Sequence, residues 1–260
     1  MKRILLGFLV AGTVGTTAIV ATNAFFSDTS TSSGNLFQAG KLNLLVDSKC
    51  SYNGQSSDQC GTWEAKKLTT EKFFNFADVK PADWGENTIS LKVDNNDAWM
   101  CASLNVTHNG KLGDYLQVFW WVDANGDNIY QNTEKVLWPF GNNTARNITQ
   151  WLALAGPSAS SLPLTFADSS WNWITENIGV PSPILGGATQ YLGVGWCFGT
   201  LTITGTGSPG FTCSGVGDQN DAQGTNVTAD LSFDIQQYRN NYTFLCPESI
   251  ARGRQSIVRP

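Results

Sequence analysis

Ile89-Ser90-Leu91-Lys92-Val93-Asp94-Asn95-Asn96-Asp97-Ala98-Trp99-Met100-Cys101-Ala102-Ser103-Leu104-Asn105-Val106-Thr107 contains two alternating runs separated by a polar turn. Ile89, Leu91 and Val93 alternate with Ser90 and Lys92; Met100, Ala102, Leu104 and Val106 alternate with Cys101, Ser103, Asn105 and Thr107. Side chains of an extended chain point to opposite sides at successive residues, so this period of two describes strands with one apolar and one polar face. Asp94-Asn95-Asn96-Asp97 supplies the residues that stop a strand and turn it, because short polar side chains hydrogen-bond their own backbone.

The same pattern recurs on both sides of this stretch, and helical periodicity is almost nowhere. Tyr115 to Val122 reads as a strand with aromatics on both faces, Tyr191 to Ile203 as a long strand with Leu192, Val194, Trp196 and Phe198 on one side, and Thr225 to Ile235 as another. Asn109-Gly110, Asn125-Gly126 and Gly207-Ser208-Pro209-Gly210 are further turn signals. Many short strands at this spacing predict an all-β chain folded as a two-sheet sandwich. Ala145 to Ala155 reads as a short helix, and the Pro, Ser and Gly of 156 to 187 predict an insertion on the sandwich rim, about 140 to 188 with its flanks. Charged residues make up only 14% of the chain, too few for surface helices rich in Glu and Lys.

The chain opens with Met1-Lys2-Arg3, an apolar run from Ile4 to Val20 interrupted by Gly7, Gly12 and Gly15, and the small-residue segment Ala21-Thr22-Asn23-Ala24. A cationic start, an apolar middle and small side chains at a cleavage point form an export signal, predicted to be a signal-peptide helix over 1 to 24 that a signal peptidase removes. Phe25 is then expected to begin the mature chain; a retained membrane anchor is the competing reading, against which the run is short and broken by polar Thr residues. Loss of Lys2 and Arg3 takes the formal charge from −5 to −7, which argues against nucleic acid and anionic membranes as partners.

Phe25-Phe26-Ser27-Asp28-Thr29 leads through a Ser/Thr-rich stretch to Gly34-Asn35-Leu36-Phe37-Gln38-Ala39-Gly40-Lys41-Leu42-Asn43-Leu44. This arrangement resembles the TasA/camelysin family of secreted matrix proteins, whose members pair a signal for a dedicated signal peptidase with a mature start similar to Ala24-Phe25-Phe26-Ser27-Asp28-Thr29 and a first strand similar to Phe37-x-Ala39-Gly40-x-Leu42-x-Leu44. The likeness is close over residues 1 to 46 and patchier at Asp83 to Leu91, Asp94 to Trp99 and Thr228 to Phe233. It implies a jelly-roll sandwich and a biofilm-matrix fibre subunit. On this division, 25 to 36 is a flexible N-terminal segment able to act as a donor strand, 37 to 246 is the sandwich, and 247 to 260, with Arg252, Arg254 and Arg259, is a flexible basic tail.

All six cysteines follow the export signal, and an even number in an exported chain reads as disulfides. Connectivity does not follow from sequence. Cys50 and Cys60 flank a polar loop that cannot bury itself, and Cys197 and Cys213 flank a Gly/Thr-rich hairpin-like segment, so we expect those two pairs and Cys101 with Cys246. A zinc site is the competing reading, but the chain has no Cys-x-x-Cys pair and His108 is its single histidine.

Asp123-Ala124-Asn125-Gly126-Asp127-Asn128-Ile129-Tyr130-Gln131-Asn132-Thr133-Glu134 carries the sharpest chemistry. Oxygen side chains at the first, third and fifth positions and a Glu at the twelfth match the ligand spacing of a calcium loop, with the Ile129 carbonyl as a further ligand. Asn128 stands where Gly is usual; Asn tolerates the positive φ needed there. A polar hairpin turn built on Asn125-Gly126 is the alternative. Bound Ca2+ would be structural, holding a loop at the sandwich end.

Enzyme readings fare poorly. A zinc peptidase of the kind ascribed to camelysin needs His-Glu-x-x-His, which is absent, and no Gly-x-Ser-x-Gly elbow is present for a serine hydrolase. His108, beside the Asn109-Gly110 turn, reads as an exposed strand-end residue. A secreted carbohydrate-binding module or two-carboxylate hydrolase is the alternative function, with Trp120-Trp121 or Trp171 and Trp173 as sugar platforms; core packing competes for Trp120 and Trp121. Asn-x-Thr sequons start at Asn105, Asn142, Asn147, Asn226 and Asn241. The expected function is a cell-surface or extracellular-matrix structural subunit that polymerises with itself, Phe25 and Phe26 entering a neighbour's groove as an added strand. Other matrix proteins or polysaccharide are further candidate partners.

Overall fold

The computed structural model describes residues 42–57, 59–138, 144–156, 159–169, 172, 182–215, 217 and 219–246; residues 1 to 24, expected to be an export signal, Phe25, Phe26, the segment 25 to 36 and the tail 247 to 260 lie outside them. In chain order the elements are β1 (Asn43–Tyr52), β2 (Trp63–Lys66), β3 (Trp84–Asp94), β4 (Ala98–Asn109), β5 (Leu116–Val122), β6 (Val136–Trp138), β7 (Arg146–Asn147), α1 (Ile148–Ala155), β8 (Ser161–Ala167), β9 (Thr189–Phe198), β10 (Thr200–Ile203), β11 (Phe211–Ser214) and β12 (Val227–Gln237). A larger sheet runs β2-β1-β3-β9-β5-β6 with β7 beside β5, a smaller one runs β12-β4-β8, and β10 and β11 form a hairpin. The strand pairs are antiparallel, as expected for an all-β sandwich.

The Asp94–Asp97 turn, with Asn95 at φ +68°, carries the chain from one sheet to the other. The two alternating runs that flank it therefore face each other across the core instead of pairing. Val46, Ile89, Leu91, Val93, Val118, Trp120, Leu192, Val194 and Trp196 from the larger sheet meet Met100, Ala102, Val106, Leu162 and Phe166 from the smaller. Helix α1 adds Ile148 and Trp151 to this core, and a capping box at its start explains why it begins there. The Asn147 side chain accepts from the Gln150 backbone N–H, and the Gln150 side chain accepts from the Asn147 N–H.

Two expectations are corrected. The stretch 140 to 188 is not wholly a rim insertion, because β8 within it is the third strand of the smaller sheet. Leu162, Leu164 and Phe166 alternate with Ser161, Pro163 and Thr165, a pattern that the surrounding Pro, Ser and Gly obscure. Pro163 is tolerated because β8 is an edge strand, where a missing N–H leaves no ladder bond unmade. The long strand expected from Tyr191 to Ile203 also breaks in two at Gly199, whose φ of +142° starts the β10–β11 hairpin. A Cβ there would stand 2.2 Å from the Ser214 carbonyl oxygen.

The larger sheet is covered on both faces. Outward-pointing Phe119 and Trp121 of β5 stack at 4.9 Å between centroids and join Tyr130, Leu201 and Phe211 in a second apolar cluster. Room for the two rings exists because their cross-strand partners on β9 are Gly195 and Gly193. A Cβ on Gly193 would lie 2.0 Å from the Trp121 ring, and one on Gly195 would lie 2.3 Å from the Phe119 ring. Disulfides join Cys50 to Cys60, Cys101 to Cys246 and Cys197 to Cys213, the pairing expected from the sequence. Such bonds persist in oxidising surroundings of the extracellular kind.

Gly193→Ala is expected to destabilise the protein by about 2 kcal/mol or more, because a methyl at that position displaces the Trp121 ring from a fully packed layer. Chemical denaturation of the two proteins under the same buffer measures it, and equal midpoints and slopes show that the ring has other room.

Candidate functional site

The Asp123–Glu134 loop joins β5 to β6, and all five residues expected to ligate calcium lie within it. Asp123, the residue after β5, is completely buried. Its Oδ1 accepts from the backbone N–H groups of Gly126 at 2.8 Å and Asp127 at 3.2 Å. Its Oδ2 accepts from the Asn128 N–H at 3.0 Å and from the Thr88 hydroxyl of β3 at 2.5 Å. These bonds fill the acceptor positions of the carboxylate and bind the loop to the outer face of the larger sheet. Asn128 takes φ +68°, the left-handed conformation expected at the sixth position, and Gly126 takes φ +69°.

The remaining oxygens are also engaged. Asp127 Oδ1 accepts from the Ile129 N–H at 2.9 Å, and its Oδ2 accepts from the side-chain amides of Asn125 and Gln131, each at 2.9 Å. Asn125 Oδ1 accepts from the Asp127 N–H at 3.1 Å. Glu134 closes the loop: Oε1 accepts from Ala124 N–H at 2.7 Å and Oε2 from Gln131 N–H at 3.0 Å. Burial pushes the Glu134 carboxyl above the usual carboxylate range, against the two backbone bonds that favour its charged form. The donor types and spacing suit a hard cation, yet Asp123 has no free lone pair to offer one. It acts as a hydrogen-bond hub. Among the described residues no group of three or more His, Cys, Asp or Glu side chains converges as a metal site would.

Thr88 and Glu86 are part of this site, though nothing in the local sequence marks them as such. Both belong to the outward row of β3 that reads as an ordinary polar face, but both are buried. Glu86 Oε1 accepts from the Ser51 hydroxyl at 3.0 Å, while its Oε2 is buried with no hydrogen-bond partner among the described residues. Burial raises the Glu86 carboxyl to about 7; the Ser51 bond opposes this, Asp127 adds to it, Lys49 opposes it and Asp123 adds a little more. Lys49 itself donates to the Asp127 carbonyl at 3.3 Å.

The other candidates divide simply. Trp120 is 4% exposed, in the main core beside Trp151, and Trp121 is fully buried in the second cluster, so neither forms a sugar platform. Trp171 and Trp173 lie outside the described residues. His108 is exposed near the end of β4, opposite Thr228.

Glu86 makes stability depend on pH with a definite sign. Its carboxyl holds a proton in the folded protein up to about 7 and in the unfolded chain only to about 4.5, so the contribution is complete below 4.5 and is lost as pH rises through 7. The neutral isostere Glu86→Gln is expected to remove that decline, on the order of 2 kcal/mol, and to leave the variant more stable than the parent above pH 7. Denaturation midpoints across this range test it; parallel curves for the two proteins would rule it out.

No protein-family model matches this sequence, and no curated protein matches it, so function rests on the residues themselves.

Proposed function

We propose that the chain is an exported structural subunit of the cell surface or extracellular matrix, similar to the TasA/camelysin matrix proteins, and that it polymerises by donating its N-terminal segment to a neighbour. The observation that carries this reading is the edge strand β12. It runs for 11 residues, and among the described residues β4 is its only strand partner. Its inward side chains Leu231, Phe233 and Ile235 are half-buried and pack on the core. No proline or lysine interrupts it; Asp230 and Asp234 are its charged side chains, and its one register shift lies near its start, between Thr228 and Ala229. A strand added in the plane of the smaller sheet satisfies the open backbone groups of β12 and covers those apolar side chains.

Phe25-Phe26 followed by a Ser/Thr-rich linker supplies such a strand, with apolar anchors worth several kcal/mol per junction at about 25 cal/mol per Å2 before ordering costs. Donation from one copy to the next is a head-to-tail contact, which extends into a fibre wherever its rotation does not close. The three disulfides suit a protein that works outside the reducing interior of the cell.

Deleting Phe25 to Ser33 is expected to leave a folded monomer that forms no filaments, whereas the chain starting at Phe25 assembles. Electron microscopy and light scattering of the two proteins at matched concentration distinguish them, and filaments from the truncated chain would sink the donor-strand reading. A structural Ca2+ at Asn125, Asp127, the Ile129 carbonyl and Glu134, with Asp123 releasing part of its hydrogen bonding, belongs to the same proposal. Binding to the native state alone must raise its stability. The expected outcome is a higher melting temperature in calcium than in chelator; coincident melts remove calcium from the protein's partners.

A further inference from the structure

Among the described residues the outer face of the smaller sheet is open from Ser103 to Thr107, where its side chains are half-buried or exposed, and is covered at its other end, where Trp99 and Cys101 are buried. On β4 the outward row runs through Ser103, Asn105 and Thr107, and on β12 through Thr228, Asp230, Ser232 and Asp234. Hydroxyls link across it, Ser103 to Ser232 at 2.7 Å and Thr107 to Thr228 at 2.8 Å. The larger sheet, by contrast, has its outer face buried under the second apolar cluster and the Asp123–Glu134 loop.

One Asn-x-Thr sequon, at Asn105, stands on this face, and two others, at Asn226 and Asn241, flank it at its two ends. Asn105 stands in the outward row of β4, opposite Asp230 on one side and Ser161 on the other. Asn226 is exposed just before β12, its backbone carbonyl accepting from Gly110 N–H at 2.9 Å. Asn241, half-buried, sits at the other end, in the segment after β12 that covers Trp99, and its carbonyl accepts from the Trp99 indole N–H. A fourth sequon has another use: Asn147 caps α1 through its side-chain oxygen, and its amide nitrogen donates to the Asp114 carbonyl at 2.7 Å. The fifth, at Asn142, lies outside the described residues.

We propose that Asn105, Asn226 and Asn241 are N-glycosylation acceptors and that their glycans form the missing layer over the smaller sheet. The donor is a lipid-diphosphate-linked oligosaccharide. The new bond joins Asn Nδ2 to the sugar C1, the bond from C1 to the diphosphate oxygen breaks, the lipid diphosphate leaves, and Nδ2 gives up one proton. Thr107, Thr228 and Thr243 supply the hydroxyl residue each sequon requires two places on. Glycans on the face block sheet-on-sheet stacking, while the backbone edge of β12 stays open in the plane of the sheet. The proposal requires export but not polymerisation.

The test is expression of the full chain in a secreting host that transfers N-linked oligosaccharides, followed by peptide mapping of the secreted fraction by mass spectrometry. Glycan mass is expected on the peptides containing Asn105, Asn226 and Asn241, with Asn147 bare; N105Q, N226Q and N241Q each remove one glycan, and N147Q removes none. Secreted protein with those three asparagines unmodified, or with Asn147 occupied in their place, overturns the assignment. Retention inside the host is a failure of export and is scored separately from intact secreted protein that carries no sugar.

Discussion

Phe119 and Trp121 lie flat over Gly195 and Gly193, and the layering of the molecule depends on that contact. A strand such as β9 with larger residues at 193 and 195 would hold the rings off the sheet. The β10–β11 hairpin and the Asp123–Glu134 loop would then lose the apolar floor on which they rest. With the rings down, Tyr130, Leu201 and Phe211 pack against them, and the Cys197–Cys213 disulfide ties the hairpin to the strand beneath. The buried polar groups of β3 follow from the same arrangement. Thr88 and Glu86 are enclosed because a loop held in place by Tyr130 closes over them.

The alternation from Ile89 to Thr107 was legible because period two survives any choice of partner strand. Its partners were not legible. Antiparallel runs joined by a short polar turn usually pair, and these two separate into opposite sheets because each has apolar residues on only one face and the core needs both faces. Strand β8 was hidden for a different reason: its alternation is short and its flanks are rich in turn-forming residues. The Asp123–Glu134 loop was readable as a unit, down to the positive φ of Asn128, since spacing and turn chemistry are local. The inward direction of Asp123 was not, because its partner Thr88 is 35 residues away.

Stability and assembly draw on different parts of the molecule. The two-faced burial of the larger sheet gives the rigid body, and nothing in it needs a second copy. The smaller sheet is thin, open at β12 and polar on its outside. The strand addition proposed above uses that side, through its edge.

The Cys101–Cys246 disulfide decides where a pull on the C-terminal side of the chain is borne. Its bond fastens the end of the domain to β4, nine residues beyond the last residue of β12. Asp168 reinforces it by accepting from Cys246 N–H at 3.0 Å, and Ser169 N–H donates to the Phe244 carbonyl at 2.9 Å. A load entering from the C-terminal side therefore meets a covalent clip on the neighbouring strand before it reaches β12. It cannot peel β12 away from β4 one hydrogen bond at a time, which is the weak direction of a ladder. A pull on the C-terminal segment passes to β4 as shear along that strand and does not run through β12.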